Sequence, residues 1–264
     1  MLAQAFDSKP NSFEVMPETF RPRMIGATVG LVFALIVILM LPSFEVYNHF
    51  TNGLQAISRD RFEEAVQDFT EGLGRVDSAG VPFGRPVVTK IALRVFRGRC
   101  LYQLGKYEES LDDFDMMGQL IVEREGKESG QRQTWKAAVY AKMGEFESAV
   151  RELSTAIEED RENSRLLLRR ADANYQLGDY ESAIHDFDSY LNTDAPDDLE
   201  RIFARFYRAL AHKQLNEDEV VTTDLEAIRS GSWHPYWLSV DVNTLSDPEV
   251  VAAWRKSEIY IRDL

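Results

Sequence analysis

An eight-residue unit that recurs four times constrains the fold of this chain more than any other feature. Each copy has an aromatic residue, a small residue three positions later, and a second aromatic residue or leucine four positions after that. The copies are Phe62/Ala65/Phe69, Tyr107/Ser110/Phe114, Phe146/Ala149/Leu153 and Tyr180/Ala183/Phe187. Steps of three and four residues place all three side chains on one face of a helix. Because such self-similarity is the signature of a repeat architecture, the sequence predicts a stack of similar helical units.

Further residues at fixed positions predict a second helix in every unit. A small residue lies nine positions before each leading aromatic residue, at Gly53, Gly98, Ala137 and Ala171. In three copies a glycine lies two positions before the aromatic residue, at Gly105, Gly144 and Gly178. Glycine permits the left-handed backbone that ends a helix, and the glutamate after each aromatic residue suits the positive end of the next helix dipole. Each unit is therefore predicted to be a pair of closely packed helices.

In these residues the chain resembles the tetratricopeptide repeat (TPR) family, whose units are antiparallel helix pairs stacked in a right-handed superhelix. The resemblance covers about residues 46–230 and implies an all-α fold, a right-handed α-solenoid with four clear repeats. A fifth, degenerate repeat is expected around Ala209, Val221 and Leu225, where Asp218 replaces the leading aromatic residue and Asn216 replaces the glycine.

Uneven spacing of the units predicts two insertions. The intervals between the leading aromatic residues fall from 45 to 39 to 34 residues. We assign the extra chain to residues 74–86, which are rich in glycine and proline, and to the charged segment 123–130. Both are expected to be loops. Loops of this kind serve either as solvated spacers or as contacts with a partner.

Residues 24–44 contain no charged side chain and predict a single transmembrane helix. These 21 residues span roughly 30 Å as a helix, the thickness of the hydrocarbon core of a bilayer. A buried core helix of that length rarely lacks polar residues on every face. A cleavable signal peptide is disfavoured by the acidic residues of the leader and by the absence of a small-x-small pattern after Leu41. We expect residues 1–23 to form an N-terminal tail.

Positive charge around this segment predicts its orientation. Arg21 and Arg23 precede the apolar stretch directly, whereas the first basic residue after it is Arg59. Lysine and arginine near a span tend to stay in the cytoplasm. The N-terminus is thus predicted to be cytoplasmic, with the repeats on the opposite side, in a periplasm, a lumen or an intermembrane space.

The net charge limits the classes of partner. The chain carries a formal charge of −14, and the first 44 residues are neutral in sum, so residues 45–264 hold all of it. An acidic surface repels phosphate backbones and anionic lipid headgroups, which argues against nucleic-acid binding. Basic or neutral protein partners fit better.

Residues that could carry chemistry form no recognisable site. His49, His185, His212 and His234 are scattered, and none has a second ligand at metal-binding spacing. The one cysteine, Cys100, lies in an apolar helical pattern typical of a buried thiol rather than a reactive one. The acidic residues of 194–200 do not match a calcium loop. The sequence predicts no catalytic residue, metal, cofactor or small-molecule substrate.

The resemblance implies that partners bind a concave wall formed by the first helix of each unit. Helical spacing then selects Arg99, Tyr102, Gln103, Lys142, Arg165, Asp172 and Tyr175 as candidate binding residues, with Phe203 and Phe206 extending the wall. Such a mixed surface could hold an extended peptide or a partner helix. The alternative is that these are ordinary exposed or inter-repeat residues. Phe50 and Leu54 occupy the positions where chaperone-binding members carry a carboxylate clamp, so binding to chaperone tails is not predicted.

Residues 231–264 differ in composition and are predicted to cap the array. They include Trp233, Tyr236, Trp237 and Trp254, and residues 247–262 form an expected helix with Pro248 in its first turn. A repeat array needs such a cap because its last unit otherwise exposes an apolar surface.

Three functions are consistent with these features. The first is a membrane-anchored interaction scaffold, an adaptor or assembly factor for a membrane protein complex. The second is a permanent accessory subunit of a large membrane complex. The third is an enzyme or cell-envelope factor whose chemistry the sequence does not reveal.

Overall fold

The computed structural model describes residues 44–76, 86–127, 130–193 and 198–230, and within these ranges the chain is α-helical without strands. The helices are α1 (44–57), α2 (Phe62–Val76), α3 (Pro86–Gln103), α4 (Tyr107–Glu125), α5 (Gln131–Met143), α6 (Phe146–Glu159), α7 (Ser164–Leu177), α8 (Tyr180–Leu191), α9 (Asp198–Gln214) and α10 (Asp218–Ser230). From α2 onward, each helix packs against the next. The described chain is therefore an all-α array of helix pairs, as the repeats predicted.

Small residues on the first helices explain how closely each pair packs. A Cβ atom added to Gly53 of α1 would lie 2.4 Å from the ring of Phe69 in α2. One added to Gly98 of α3 would lie 3.0 Å from Phe114 in α4. The second aromatic residue of the unit thus occupies the space that the missing side chain leaves. This close packing explains why the first helix carries the small residue and the second helix carries the aromatic residue.

The fifth pair, α9 and α10, follows the same plan despite its unusual sequence. Every turn inside a pair has a residue with positive φ two positions before the second helix: Asp60 at 55°, Gly105 at 73°, Gly144 at 78°, Gly178 at 82° and Asn216 at 62°. Asparagine and aspartate tolerate this left-handed region better than other non-glycine residues. Asn216 therefore replaces glycine in function as well as in position.

The helices extend into both segments that we expected to be loops. Helix α2 continues through Gly74 to Val76, and α4 continues to Glu125, where Gly126 ends it with a φ of 73°. Burial explains the difference in α2, because Val76 is 2% exposed and its packing outweighs the weak helix propensity of the local sequence. Residues 122–125 of α4 are exposed, and that helix ends where Gly126 adopts the left-handed conformation. Pro86 begins α3, a position where proline is well tolerated.

Many of the buried apolar side chains of the described helices belong to three clusters along the array. One lies around α1–α3 and includes Phe69, Leu93 and Cys100, one lies around α5–α7, and one fills the space around α7–α10. Cys100 is 2% exposed, and burial raises the pKa of its thiol to about 11. The prediction of a buried cysteine is confirmed.

Two predicted segments lie outside the described residues. Of the apolar segment 24–44, only residue 44 is described, as part of α1, and the expected cap 231–264 follows the last described residue. Within the described ranges, no helix combines the length and the apolar character that crossing a bilayer requires.

Candidate protein-interaction surface

The first helices of successive units lie side by side and form one layer. The guanidinium of Arg99 in α3 is 5.0 Å from the ring centroid of Trp135 in α5. Further along, the rings of Tyr175 in α7 and Tyr207 in α9 are 5.4 Å apart at 80°. We call the surface of α3, α5 and α7 that carries Arg99, Trp135 and Arg169 the inner wall. All seven predicted binding residues lie on these three helices.

Electrostatic interactions reach across the inner wall. Tyr102 of α3 affects the pKa of Arg169 in α7, although α5 lies between their helices in the stack. Side chains of helices that are not neighbours thus share one electrostatic environment.

Two arginines from consecutive turns of α7 create a basic centre on the inner wall. Arg165 Nε lies 2.7 Å from Glu200 Oε1 of α9, and the same carboxylate accepts a hydrogen bond of 2.8 Å from the hydroxyl of Tyr190. Partial desolvation lowers the pKa of the Arg169 guanidinium; Arg165 lowers it further, while Tyr102 and Glu200 oppose the change. Arg169 keeps an exposed surface. A guanidinium that is both accessible and partly desolvated is suited to binding an anionic group.

The remaining predicted residues lie around this centre. Tyr102 packs near Tyr107, with ring centroids 6.3 Å apart, and Tyr175 packs near Tyr180, with centroids 5.6 Å apart. Asp172 is half-buried and accepts a hydrogen bond of 3.3 Å from Gln176. Gln103 and Lys142 are exposed at the C-terminal ends of α3 and α5. The structure thus groups Tyr102 with Arg165 and Arg169.

Two residues expected to extend the wall are not available on it. Phe203 is 6% exposed and Phe206 is 1% exposed, and both belong to the cluster around α7–α10. Their prediction as surface residues was wrong, because both rings pack into this apolar cluster, where Phe203 contacts Phe187 and Tyr207.

A repeated acid–base pair inside the units was missed from the sequence. Arg97 donates two hydrogen bonds of 2.7 Å to Asp113, Arg170 donates bonds of 2.7 and 2.8 Å to Asp186, and Arg208 donates bonds of 2.9 and 2.5 Å to Asp224. The three aspartates are at most 2% exposed. In the third unit Lys136 approaches Glu152 at 3.2 Å. The two partners are always 16 residues apart, a spacing that the sequence displays.

The same basic residues also reach back to the preceding unit. Their partners there are the residues that directly follow the second aromatic residue or leucine: Arg97 bonds Thr70 at 3.1 Å, Lys136 bonds Asp115 at 2.9 Å, Arg170 bonds Ser154 at 3.2 Å, and Arg208 bonds Asp188. Hydrogen bonding to Asp113 and to Asp186 raises the pKa values of Arg97 and Arg170. These side chains are occupied inside the array and hold successive units together.

The described residues offer no evident metal site. Among them, no three or more histidine, cysteine, aspartate or glutamate side chains are grouped so that they could hold an ion. The chemistry that the inner wall presents is that of arginine, lysine and aromatic side chains, which bind by charge and stacking.

Comparison with known proteins agrees with this fold. Residues 136–198 match the family model described as tetratricopeptide repeat. No curated protein matches the chain. A TPR protein of known structure from Parabacteroides merdae is 17% identical, with a TM-score of 0.59 over 82% of this chain and 79% of that one. MamA from Desulfovibrio magneticus is 14% identical, with a TM-score of 0.58 over 72% of this chain and 98% of that one.

A third structure is YrrB, described as a TPR protein with an unusual peptide-binding site. It is 14% identical, with a TM-score of 0.51 over 79% of this chain and 90% of that chain. At these identities the likeness concerns the fold alone. The described helices thus share their fold with tetratricopeptide repeat proteins, and residues 136–198 match the model of that family.

Proposed function

We propose that this chain is a membrane-anchored interaction scaffold that binds a protein partner along its inner wall and serves as an adaptor or assembly factor for a membrane protein complex. The observation that carries the proposal is the cluster of basic and aromatic side chains on the inner wall, where Arg99 lies 5.0 Å from the ring centroid of Trp135 and where Arg165 and Arg169 occupy consecutive turns of α7. YrrB, which shares the fold, is described as having a peptide-binding site.

The net charge predicted basic or neutral partners, but the local charge of the inner wall favours an extended, acidic segment as the bound element. The chain as a whole has a net charge of −14, yet the inner wall carries Arg99, Lys142, Arg165 and Arg169. Exposed glutamates such as Glu108 and Glu147 lie on the second helices instead. An acidic segment would be repelled by the outer surface and attracted to the inner wall, which gives specificity and a faster association. Tyr102, Trp135 and Tyr175 offer rings for its apolar side chains.

The membrane tether rests on the uncharged segment 24–44, whose last residue is the first residue of α1. A scaffold held by this segment would present its inner wall within a short distance of the bilayer. It would then meet the exposed segments of membrane proteins at a high effective concentration. Under the same proposal the N-terminus is cytoplasmic and the array lies on the opposite side.

Photocrosslinking in native membranes tests the proposal. A photoreactive residue replaces Lys142 on the inner wall in the full-length chain, and a matched probe replaces Glu147 on α6. We expect the Lys142 probe to capture one dominant membrane protein that the Glu147 probe does not capture. Capture only from position 147, or from neither position, would refute binding on the inner wall. Once the partner is identified, its exchange is measured without crosslinking. Free exchange would identify an adaptor, and a stable complex of fixed stoichiometry would identify a permanent subunit.

A further inference from the structure

Helix α1 belongs to the same layer as the helices of the inner wall. The rings of Phe50 in α1 and Phe96 in α3 have centroids 5.5 Å apart, at an interplanar angle of 71°. Gly53 occupies in the first unit the position that Ala137 and Ala171 occupy in the third and fourth units. The layer of first helices therefore begins at α1, one helix before the inner wall.

The register of the repeats identifies the side of α1 that continues the inner wall. Counted from the shared small residue, Thr51 of α1 stands where α5 has Trp135 and α7 has Arg169. Four residues earlier, Tyr47 stands where α7 has Arg165. Arg165 is exposed, and Tyr47 is 62% exposed. The first helix thus adds an accessible aromatic side chain to the surface beside the inner wall.

This side of α1 is apolar. Tyr47, Thr51 and Leu54 follow one another at steps of four and three residues and so lie on one face of the helix. The Thr51 hydroxyl donates to the backbone carbonyl of Tyr47 at 3.0 Å and is satisfied within the helix. Phe96, half-buried, has the position of Thr51 in the next unit. We call Tyr47, Thr51, Leu54 and Phe96 the apolar patch.

The charged side chains of α1 are directed toward α2 instead. Glu45 forms an ion pair with Arg75. His49 Nδ1 lies 3.2 Å from Asp68 Oδ1, and its Nε2 lies 3.5 Å from Glu71 Oε2. No other acidic or basic residue occurs in α1. A segment that binds the apolar patch therefore meets aromatic and aliphatic groups and no charge from this helix.

The chemistry at the α7 end of the inner wall is the opposite. Arg165 and Arg169 are exposed one turn apart, and Glu200 of α9 pairs with Arg165 alone at 2.7 Å. Asp172, on the next turn, is half-buried and accepts a hydrogen bond from Gln176. Three steps between neighbouring first helices separate α1 from α7, or about 24–30 Å at about 8–10 Å per step. An extended chain covers that distance with about seven to nine residues.

We propose that the apolar patch and the inner wall together recognise a two-part partner segment, whose apolar side chains contact the patch and whose carboxylates contact Arg165 and Arg169. About eight residues of extended chain separate the two parts. This inference rests on the proposed function and specifies its partner further. Burial of aromatic and aliphatic groups supplies affinity, and the charges fix the register of the segment. An acidic segment without the apolar part would bind weakly.

Selection from a random peptide library tests this requirement while the partner is unknown. The peptides are displayed on phage and selected in parallel on the full-length chain and on its Arg169→Glu variant, both in detergent. We expect sequences enriched on the unmodified chain to combine aromatic or aliphatic residues with carboxylates centred about eight residues away, in either order. Enriched sequences that are acidic only, or in which the two parts are adjacent, would overturn the inference and retain the acidic segment of the proposed function. Equal enrichment on both chains would refute binding on the inner wall itself.

A double-mutant cycle with one selected peptide locates its apolar part. Tyr47→Ser should weaken binding of this peptide at least about fivefold. It should change binding by less than about twofold when the apolar residues of the peptide are replaced by serine. Met116→Ser, at an exposed apolar position of α4, is the matched control and should leave binding unchanged. Fluorescence anisotropy measures the dissociation constants. Equal weakening of both peptides by Tyr47→Ser would place the apolar part elsewhere and overturn the inference.

Discussion

Arg97 and Asp113 are joined by two hydrogen bonds of 2.7 Å, and the same carboxylate accepts a third of 2.7 Å from Arg94. Asp113 is completely buried, so water cannot replace any of these bonds. A carboxylate between two arginines holds α3 and α4 at a fixed register. The arrangement is geometrically specific, because the planar guanidinium of Arg97 matches the two carboxylate oxygens.

Replacing this carboxylate should destabilise the array. Asp113→Asn keeps the shape but leaves Arg94 and Arg97 without a compensating charge, and we expect a loss of at least about 2 kcal/mol in the free energy of unfolding. Asp112→Asn, at the exposed neighbouring position, is the control and should change stability by less than about 0.5 kcal/mol. Urea unfolding followed by circular dichroism measures both. Equal effects would contradict a structural role for the pair.

Two glycines should respond to alanine in opposite directions. A Cβ atom at Gly144 or at Gly74 would meet no atom within 4 Å, so neither substitution causes a clash. Gly144 has a φ of 78°, and Gly144→Ala should cost about 1–2 kcal/mol of backbone strain. Gly74 lies in α2, and Gly74→Ala should stabilise the chain by roughly 0.5–1 kcal/mol. Unfolding free energies with the same sign would show that the turn does not need the left-handed conformation.

The reactivity of Cys100 should report folding. With a pKa of about 11, far less than 1% of the thiol is ionised at pH 8, and the side chain is 2% exposed. We expect iodoacetamide to modify the native chain at least 100-fold more slowly than the chain in urea. Cys100→Ala combined with Ser58→Cys provides an exposed control thiol, which should react at similar rates in both conditions. Rapid labelling of the native Cys100 would mean that α3 opens readily.

Charge reversal on the inner wall should weaken partner binding. Arg169→Glu places a negative group on the inner wall. We expect at least a tenfold loss of partner captured by a probe at Lys142. Arg161→Glu makes the same charge change at an exposed position of the turn between α6 and α7 and should leave capture unchanged. Quantitative mass spectrometry of the crosslinked product compares the two variants. A similar loss in both would point to the net charge of the chain rather than to the inner wall.

The helix pairs were predictable because their determinants are local or periodic. Phe69, Phe114 and Phe187 lie in the core as their spacing indicated, and the fifth pair could be placed from Ala209, Val221 and Leu225. The end of α2 was not predictable, since it depends on packing against residues distant in sequence. A Cβ atom at Gly72, for example, would lie 3.2 Å from Leu93 of the next helix.

The candidate surface was predictable only in its location. Register along a helix suffices to put Arg99, Tyr102 and Arg165 on the first helices. Arg169 was missed, because its electrostatic interaction with Tyr102 depends on how α3, α5 and α7 pack. The Arg170–Asp186 pair was missed for a similar reason: charged residues in amphipathic helices usually face water, and their burial becomes evident only after the helices pack.

The bonds between successive units differ in a regular way that bears on how such an array can be shortened. The acceptors in the preceding unit are in turn a hydroxyl, a carboxylate, a hydroxyl and a carboxylate, at Thr70, Asp115, Ser154 and Asp188. Excising α5 and α6 alone would place Arg170 opposite the carboxylate of Asp115 instead of the hydroxyl of Ser154. The acceptor that Arg170 meets would then change from neutral to negative. Excising α5 to α8 would place Arg208 opposite Asp115 and leave a carboxylate there. Recombination that removes units in twos therefore preserves the electrostatics of the junction, whereas loss of one unit does not.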